Sequence, residues 1–313
     1  MVLENNNHPL VSIVVISYNS SNFILETLES IKLQTYKNIE LIISDDCSTD
    51  NTVSLCQNWI EENENFFNRV KVITVLQNSG IPSNVNRGVN TAKGEWIKLI
   101  AGDDILLDNC IHDNVSYVIK NKTINFLFSK PIYINSYSET IISHNSKKFK
   151  KNDSFYNLTA RKQYLHLLTE NHPINPPTLF FNKKVVDSVG RFDENFKNED
   201  FPFYLKITKL GYKLFFLNQE TIKYRIHSSS ISQKVKQNKG VSDWNFDKLK
   251  NTIVPQVNTN LSIQSPLIVL DIYNKLLFYN VLLLLGNTKK NKKKLSFIRW
   301  LSPLVILRKF KMN

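Results

Sequence analysis

Two pairs of adjacent aspartates offer the most readable chemistry in this chain. They are Asp45-Asp46, in IISDDCSTD, and Asp103-Asp104, in IKLIAGDD. Each follows a short apolar, β-branched run of the kind that forms a buried strand. Both pairs therefore emerge at strand C-terminal ends, the edge where open α/β sheets bind ligands. Carboxylates gathered there can hold a divalent cation, a ribose hydroxyl or a base N–H, and a cation can in turn hold a phosphate. Neither pair decides this alone. Gly-Asp-Asp also makes an ordinary solvated turn, and Ser48, Thr49 and Asp50 make helix capping an equally available role for the first pair.

The common phosphate cradles are missing. The sequence has no GxGxxG and no GxxxxGK(S/T), and neither a GxSxG elbow nor an HExxH helix appears. Phosphate handling must then rest on carboxylates and a cation. The first apolar run ends in Ser17-Tyr18-Asn19, where a tyrosine can lie against a nucleobase or simply pack. Gly102, just before the second acidic pair, suits a sharp exit from a strand.

The elements that must position these residues alternate. Strands are expected at 11–17, 40–44, 70–76 and 95–100, with helices at 22–33, 50–65, 83–92 and 107–119. Asp50 is a candidate N-cap for the second helix. This β-α order implies an α/β fold, with a parallel sheet covered by helices on both faces. Further on, the pattern predicts a strand at 126–135, an extended PINPPT segment, a helix at 201–210 and two strands at 212–217 and 221–226. A strongly apolar helix follows at 266–285, interrupted by Asp271, Asn274 and Lys275. It falls short of the ~18–20 clean apolar residues that a spanning helix needs.

The 313 residues carry 42% hydrophobic and 21% charged side chains, ordinary for one large or two small globular domains. Three cysteines without CxxC spacing fit a reducing compartment and argue against a disulfide framework or a zinc site. The polar, Asn-rich start shows no signal-peptide pattern. Net charge is +13, but 289–313 holds nine Lys or Arg and no acid, leaving +4 for the remainder. The basic character belongs to the tail, and no nucleic-acid partner is expected.

Taken in order and spacing, VSIVVISYN, IELIISDDCSTDNT and QNSGIPSNVNRGVNTAKGEWIKLIAGDDIL resemble glycosyltransferase family 2. Its members are inverting enzymes with a GT-A fold that use nucleotide-diphosphate sugars. The likeness is close over 11–107 and looser through FDENFKNEDFPFYLKITKLGYKLFFL and YRIHSSSIS. It implies a GT-A domain at 1–235 with a mostly parallel central sheet, its nucleotide-binding half at about 9–107 and its acceptor half at about 108–235. A C-terminal helical extension with a basic amphipathic tail would occupy 236–313.

By position, the resemblance implies that Ser17, Tyr18 and Asn19 line the nucleotide, that Asp46 reads a uracil-like base beside Asp45, and that Asn86 lies near the nucleotide. Asp103 would face the ribose, and Asp104 would ligate Mn²⁺ or Mg²⁺. Glu199-Asp200 matches the family's acidic motif. Asp200 would be the catalytic base, at a helix N-terminus that favours negative charge, and Glu199 would belong to the donor site. His227, in a His-plus-serine loop, would be a second metal ligand. The family often has a further aspartate two residues before the second pair. Ala101 stands there, which leaves metal ligation to fewer carboxylates.

The implied reaction is transfer of a sugar from a UDP-sugar to a glycan or lipid-linked acceptor in surface polysaccharide biosynthesis. Two other readings compete. A sugar nucleotidyltransferase would need a basic glycine-rich loop after the first strand, and Tyr18-Asn19-Ser20-Ser21-Asn22 offers none. A non-catalytic nucleotide-sugar-binding subunit would not need three intact acidic pairs. The tail suits a membrane interface or a dimer contact. The corresponding location is the cytoplasm, peripheral at the inner face of the cell membrane.

Overall fold

The computed structural model describes residues 8–141, 152–170, 174–196, 200–228, 248–255, 266–302 and 305–306. The chain divides into two compact units, one of 1–164 with 173–225 and one of 165–172 with 226–313.

The first unit is built on one eight-stranded sheet of order β3-β2-β1-β4-β7-β6-β8-β5. Its strands are β1 (Val11–Ser17), β2 (Ile39–Asp45), β3 (Arg69–Ile73), β4 (Trp96–Ala101), β5 (Ile105–Leu106), β6 (Phe126–Ile134), β7 (Phe180–Asn182) and β8 (Leu214–Arg225). The half that carries the acidic pairs, β3-β2-β1-β4, is parallel throughout. In the other half β6 runs parallel to β8, and β7 and β5 pair antiparallel to their neighbours. Crossover helices α1 (Ile24–Lys32), α2 (Thr52–Asn63), α3 (Ile81–Thr91) and α4 (Cys110–Lys120) connect or follow the parallel strands.

Composition explains the layering. β1 and β2 are apolar, β-branched and almost wholly buried, as strands covered on both faces must be. α1 turns Ile24, Leu28 and Ile31 inward at helical spacing. α3 lies unusually close to the sheet at Gly88, where a Cβ would come 2.4 Å from Val14 Cγ1.

Four sequence expectations change. The two strands expected at 212–217 and 221–226 are one strand, β8, whose register against β6 shifts on either side of Lys130. A bulged strand keeps pairing across residues whose pattern breaks alternation. Asn51 rather than Asp50 is the N-cap of α2. The Asp50 carboxylate accepts from the amides of Thr52 (3.0 Å) and Ser21 (3.1 Å), tying α2 to the loop after β1. Pro176–Thr178 forms a 3-10 turn before β7. Gly102 has no left-handed φ, so its backbone freedom is not what is used. A Cβ there would sit 3.0 Å from Ile24 Cδ1 and 3.3 Å from Ser17 Cβ, so close approach is the reason for glycine.

The other carboxylate in β2 is structural. Glu40 is fully buried near the opposite edge of the sheet. It accepts from Ser12 Oγ, from the amides of Lys93 and Gly94, and from Arg69 Nη1 at 2.9 Å. Burial works against its charge, but these donors outweigh it and hold the carboxyl below its ordinary range. Glu40→Gln is expected to cost about 1–3 kcal/mol by stranding donors. A lowered folded pKa gives stability that is present above the unfolded value and lost as pH falls through the folded one. The gap between wild type and variant in urea melts should therefore be widest at neutral pH and shrink in acid.

The second unit contains the long helix Pro266–Leu284, the basic helix Lys289–Lys294 and a short helix Ser296–Trp300. Phe278, Leu282, Leu295 and Ile298 form its small apolar core. The three cysteines are free thiols.

Candidate active site

Register brings the sequence-predicted residues of β1, β2 and β4 together. Ser17 at the end of β1 pairs with Asp45, and Ile16 pairs with Ala101. The two acidic pairs thus leave the sheet on either side of Ser17-Tyr18-Asn19. Backbone bonds fasten the three exits, with Asp46 N donating to Ser17 O (3.0 Å) and Gly102 N to Ile16 O (2.9 Å).

The loops after β1 and β2 are laced together. Ser17 Oγ donates to Asp45 Oδ2 at 2.9 Å, and Ser48 N donates to Asp45 Oδ1 at 2.8 Å. Asn19 takes the left-handed conformation, which asparagine tolerates. Its Oδ1 accepts from Thr49 N (2.8 Å), and its own N–H donates to Ser48 Oγ (2.8 Å). Asp45 is consequently a buried organiser of this turn. Tyr18 points outward, half exposed, beside it.

Asp46 is occupied differently. Its carboxylate accepts from Ser79 Oγ (2.7 Å), the amides of Ser79 (3.0 Å) and Gly80 (2.7 Å), and Arg87 Nη2 (2.8 Å). These groups are the entry and second turn of α3, so the carboxylate sits at a helix N-terminus. Burial opposes its charge, but the bonds from Ser79, Arg87 and Gly80 prevail and keep the carboxyl below its usual range. Four donors already match the roughly four lone-pair sites of a carboxylate. A base N–H reaches Asp46 by displacing one of them.

Asn86 lies on α3 with both ends of its amide engaged. Its Nδ2 donates to Phe192 O (2.8 Å) and Glu194 Oε1 (2.7 Å), and its Oδ1 accepts from Phe192 N (3.2 Å). It ties α3 to Phe192 and Glu194, which precede the helix Asp200–Lys209 in the chain. Ser83 Oγ adds a bond to Glu194 Oε2 at 2.7 Å.

Asp104 is fully buried. Its Oδ1 accepts the amide of Arg225 at 2.8 Å, and its backbone oxygen accepts Thr27 Oγ1 at 2.7 Å. Its Oδ2 has no hydrogen-bond partner among the described residues. Burial and the charge of adjacent Asp103 push its carboxyl well above the ordinary range, against the opposing pull of Arg225 and Lys98. A buried carboxylate oxygen without a donor, beside a second carboxylate, is a costly arrangement that a cation would relieve. The donor set is all oxygen and fits a hard divalent ion held by one or two carboxylates plus substrate phosphates. No group of three His, Cys, Asp or Glu suited to a metal occurs among the described residues. His227 is half-buried and follows Arg225 by two residues in the chain.

Asp200 begins the helix Asp200–Lys209, and its Oδ1 accepts the following amide at 2.6 Å. Glu199 lies outside the described residues.

Sequence reasoning missed four residues here. Ser79 and Arg87 hold Asp46, and Glu194 holds Asn86. The available signal was spacing: Ser79-Gly80 shortly before the helix predicted at 83–92, and Arg87 about one turn into it. Arg225 was the fourth, and no local pattern marks it. Its guanidinium donates to Asp103 O (2.7 Å), Ser138 Oγ (2.9 Å) and Glu26 Oε2 (2.9 Å), and stacks 4.6 Å from the Phe23 ring centroid.

A parallel half-sheet with carboxylates at the edge on both sides of its central strand, joined to a mixed half-sheet, defines a GT-A-like α/β transferase fold. The chain belongs to Glycosyl transferase family 2, whose sequence profile it matches over residues 12–190, more than half its length. It is a glycosyltransferase, and the fold class expected from the sequence is borne out. An uncharacterised glycosyltransferase of Haemophilus influenzae is 28% identical over 232 residues, covering 72% of this chain and 68% of that protein. Glycosyltransferase GlyG of Streptococcus pneumoniae is 39% identical over 102 residues, a third of each chain. Among solved structures, S. aureus TarS 1-349 in complex with UDP-GlcNAc superposes with a TM-score of 0.59 at 18% identity, covering 85% of this chain and 71% of that one. The mannosyltransferase PcManGT from Pyrobaculum calidifontis, in complex with GDP-Man and Mn²⁺, gives 0.54 at 15% identity, covering 93% and 84%. At these identities the structural likeness speaks to the fold.

Proposed function

We propose that the protein transfers a sugar, with inversion, from a UDP-sugar to a hydroxyl of a glycan or lipid-linked acceptor, as a step in building a surface polysaccharide. The observation that carries this is the convergence of Ser17–Asn19, Asp46 and Asp103-Asp104 at one edge of the parallel half-sheet, with Asp104 Oδ2 left bare. Tyr18 offers an exposed ring against which a base can lie. Asp46, held ionised by α3, accepts a base N–H in exchange for one of its present donors. Asp103 and Asp104 would hold Mn²⁺ or Mg²⁺, and that ion, when bound, offsets charge on the leaving diphosphate. Asp200 takes the proton from the acceptor hydroxyl as that oxygen bonds to C1. The C1–oxygen bond to the diphosphate breaks, the leaving group keeps the electron pair, and the anomeric centre inverts. The UDP-GlcNAc and GDP-Man bound by the two structural neighbours support a nucleotide-sugar donor.

The test is a donor panel. Release of nucleoside diphosphate is followed with UDP-, GDP- and dTDP-sugars, in Mn²⁺ and after chelation. Turnover confined to UDP-sugars, lost with chelator and restored by Mn²⁺, is the expected result. Full turnover in chelator would reject the metal assignment of Asp104, and turnover of GDP-sugars alone would reject the role of Asp46.

A further inference from the structure

The long helix Pro266–Leu284 buries its charged residues beside Ile272, Phe278 and Leu282 and leaves other leucines exposed. Its charged residues face inward. Asp271 is fully buried, forms an ion pair with Lys275 (Nζ to Oδ2, 3.0 Å), and accepts through Oδ1 from Arg299 Nη2 (3.2 Å) and Ser302 Oγ (2.6 Å). Asn274 faces the same way, donating to Ile298 O at 2.7 Å and accepting from Arg299 Nη1 at 2.8 Å. The opposite face carries Leu270, Tyr273, Leu277 and Leu284 at helical spacing, from 41% to 85% exposed. A helix facing water keeps its charges outside and its leucines inside. Here the polar stripe is used up holding the short helix Ser296–Trp300, which in turn exposes Phe297 and Trp300.

Charge identifies what covers this face. Lys290, Lys292, Lys293 and Lys294 are exposed on the basic helix that follows the leucines directly. No Asp or Glu occurs in the sequence from 272 to 313. We propose that this face docks onto an anionic lipid surface. The leucines and Trp300 would enter the interfacial layer, and the lysines would lie over the headgroups. A second copy of the chain fits less well. An isologous contact would bring the two lysine helices to the same interface, where their charges repel. Insertion across a bilayer fits less well too. The helix has 19 residues and is apolar enough by composition, but it carries an Asp271–Lys275 pair in its middle. The Asp271 carboxylate is bonded by Arg299 and Ser302 of the segment just beyond the basic helix, which a spanning helix would leave at the far side.

The full-length protein is sedimented with vesicles of phosphatidylglycerol and phosphatidylcholine, and with phosphatidylcholine alone. Binding to the anionic vesicles that falls at least fivefold at high salt is expected. Leu270→Glu with Leu277→Glu, and separately Lys290→Glu with Lys293→Glu, should each lower binding at least fivefold while leaving donor turnover in detergent-free solution unchanged. Both pairs lie on exposed positions, so circular dichroism should match wild type. Equal binding to neutral vesicles, binding indifferent to either pair, or resistance of bound protein to alkaline extraction would overturn the proposal. A wild-type dimer in light scattering that the leucine pair converts to a monomer would also overturn it, and would assign the face to self-association.

Discussion

Asp200→Asn is expected to lower the transfer rate about 10²–10⁴-fold while donor binding survives. The helix it begins is firmly seated. Phe201, Phe203, Tyr204 and Leu205 are all buried, and Phe203 stacks on Phe192 with ring centroids 4.2 Å apart. Tyr204 meets Phe128 edge-on at 5.4 Å. An amide of the same shape at the first position leaves this packing intact. What it removes is the ability to take up a proton, and an acceptor hydroxyl is a poor nucleophile until its proton has somewhere to go. Steady-state kinetics give the rate, and a nucleotide-induced rise in melting temperature reports binding separately. A variant with wild-type turnover would place the base elsewhere. One that loses the thermal shift along with turnover would make Asp200 a donor-binding group.

The parts of this site that were legible in the sequence are those in which neighbours along the chain act together. The strands of the parallel half could be read because their residues are apolar on both faces, and the acidic pairs because strand ends in such a sheet share an edge. The roles within the pairs were less legible, since they depend on partners brought in by folding. Asp45 and Asp46 are adjacent, yet one is bonded to Ser17 and Ser48 and the other to Ser79, Gly80 and Arg87. Nothing in the letters separates them. Adjacent residues of an extended chain point to opposite sides, and each takes the partners found there. Asn86 illustrates the same limit. Its place on α3 was readable, but its ties to Phe192 and Glu194 join segments more than a hundred residues apart. The fusion of 212–217 and 221–226 into β8 escaped notice because a bulge against β6 hides the alternation that identifies a strand.

Arg225→Met is expected to destabilise the first unit by about 3–5 kcal/mol, because several buried acceptors lose their donor at about 1–3 kcal/mol each. The melting midpoint should fall by on the order of 10 °C. The guanidinium is wholly buried, and its donors are spread over Asp103 O, Asn135 O, Ser136 O, Ser138 Oγ and Glu26 Oε2. Methionine fills much of the volume and supplies none of those bonds. Glu26 is about half exposed and can return to water, so the penalty falls on the carbonyl oxygens. Arg225→Lys should recover only part of the loss, because a single ammonium cannot span the acidic loop, the 135–138 turn and α1 at once. The two variants also separate holding the fold from holding the site. The amide of residue 225 binds Asp104 Oδ1 whatever the side chain, whereas Asp103 O loses its donor in Arg225→Met. In the reaction proposed above, a variant that remains folded at low temperature should therefore need several-fold more Mn²⁺ for half-maximal turnover. A normal Mn²⁺ requirement alongside the lowered midpoint would confine the Arg225 side chain to packing and leave the acidic loop held by the amide of residue 225, Thr27 and the Gly102 contacts.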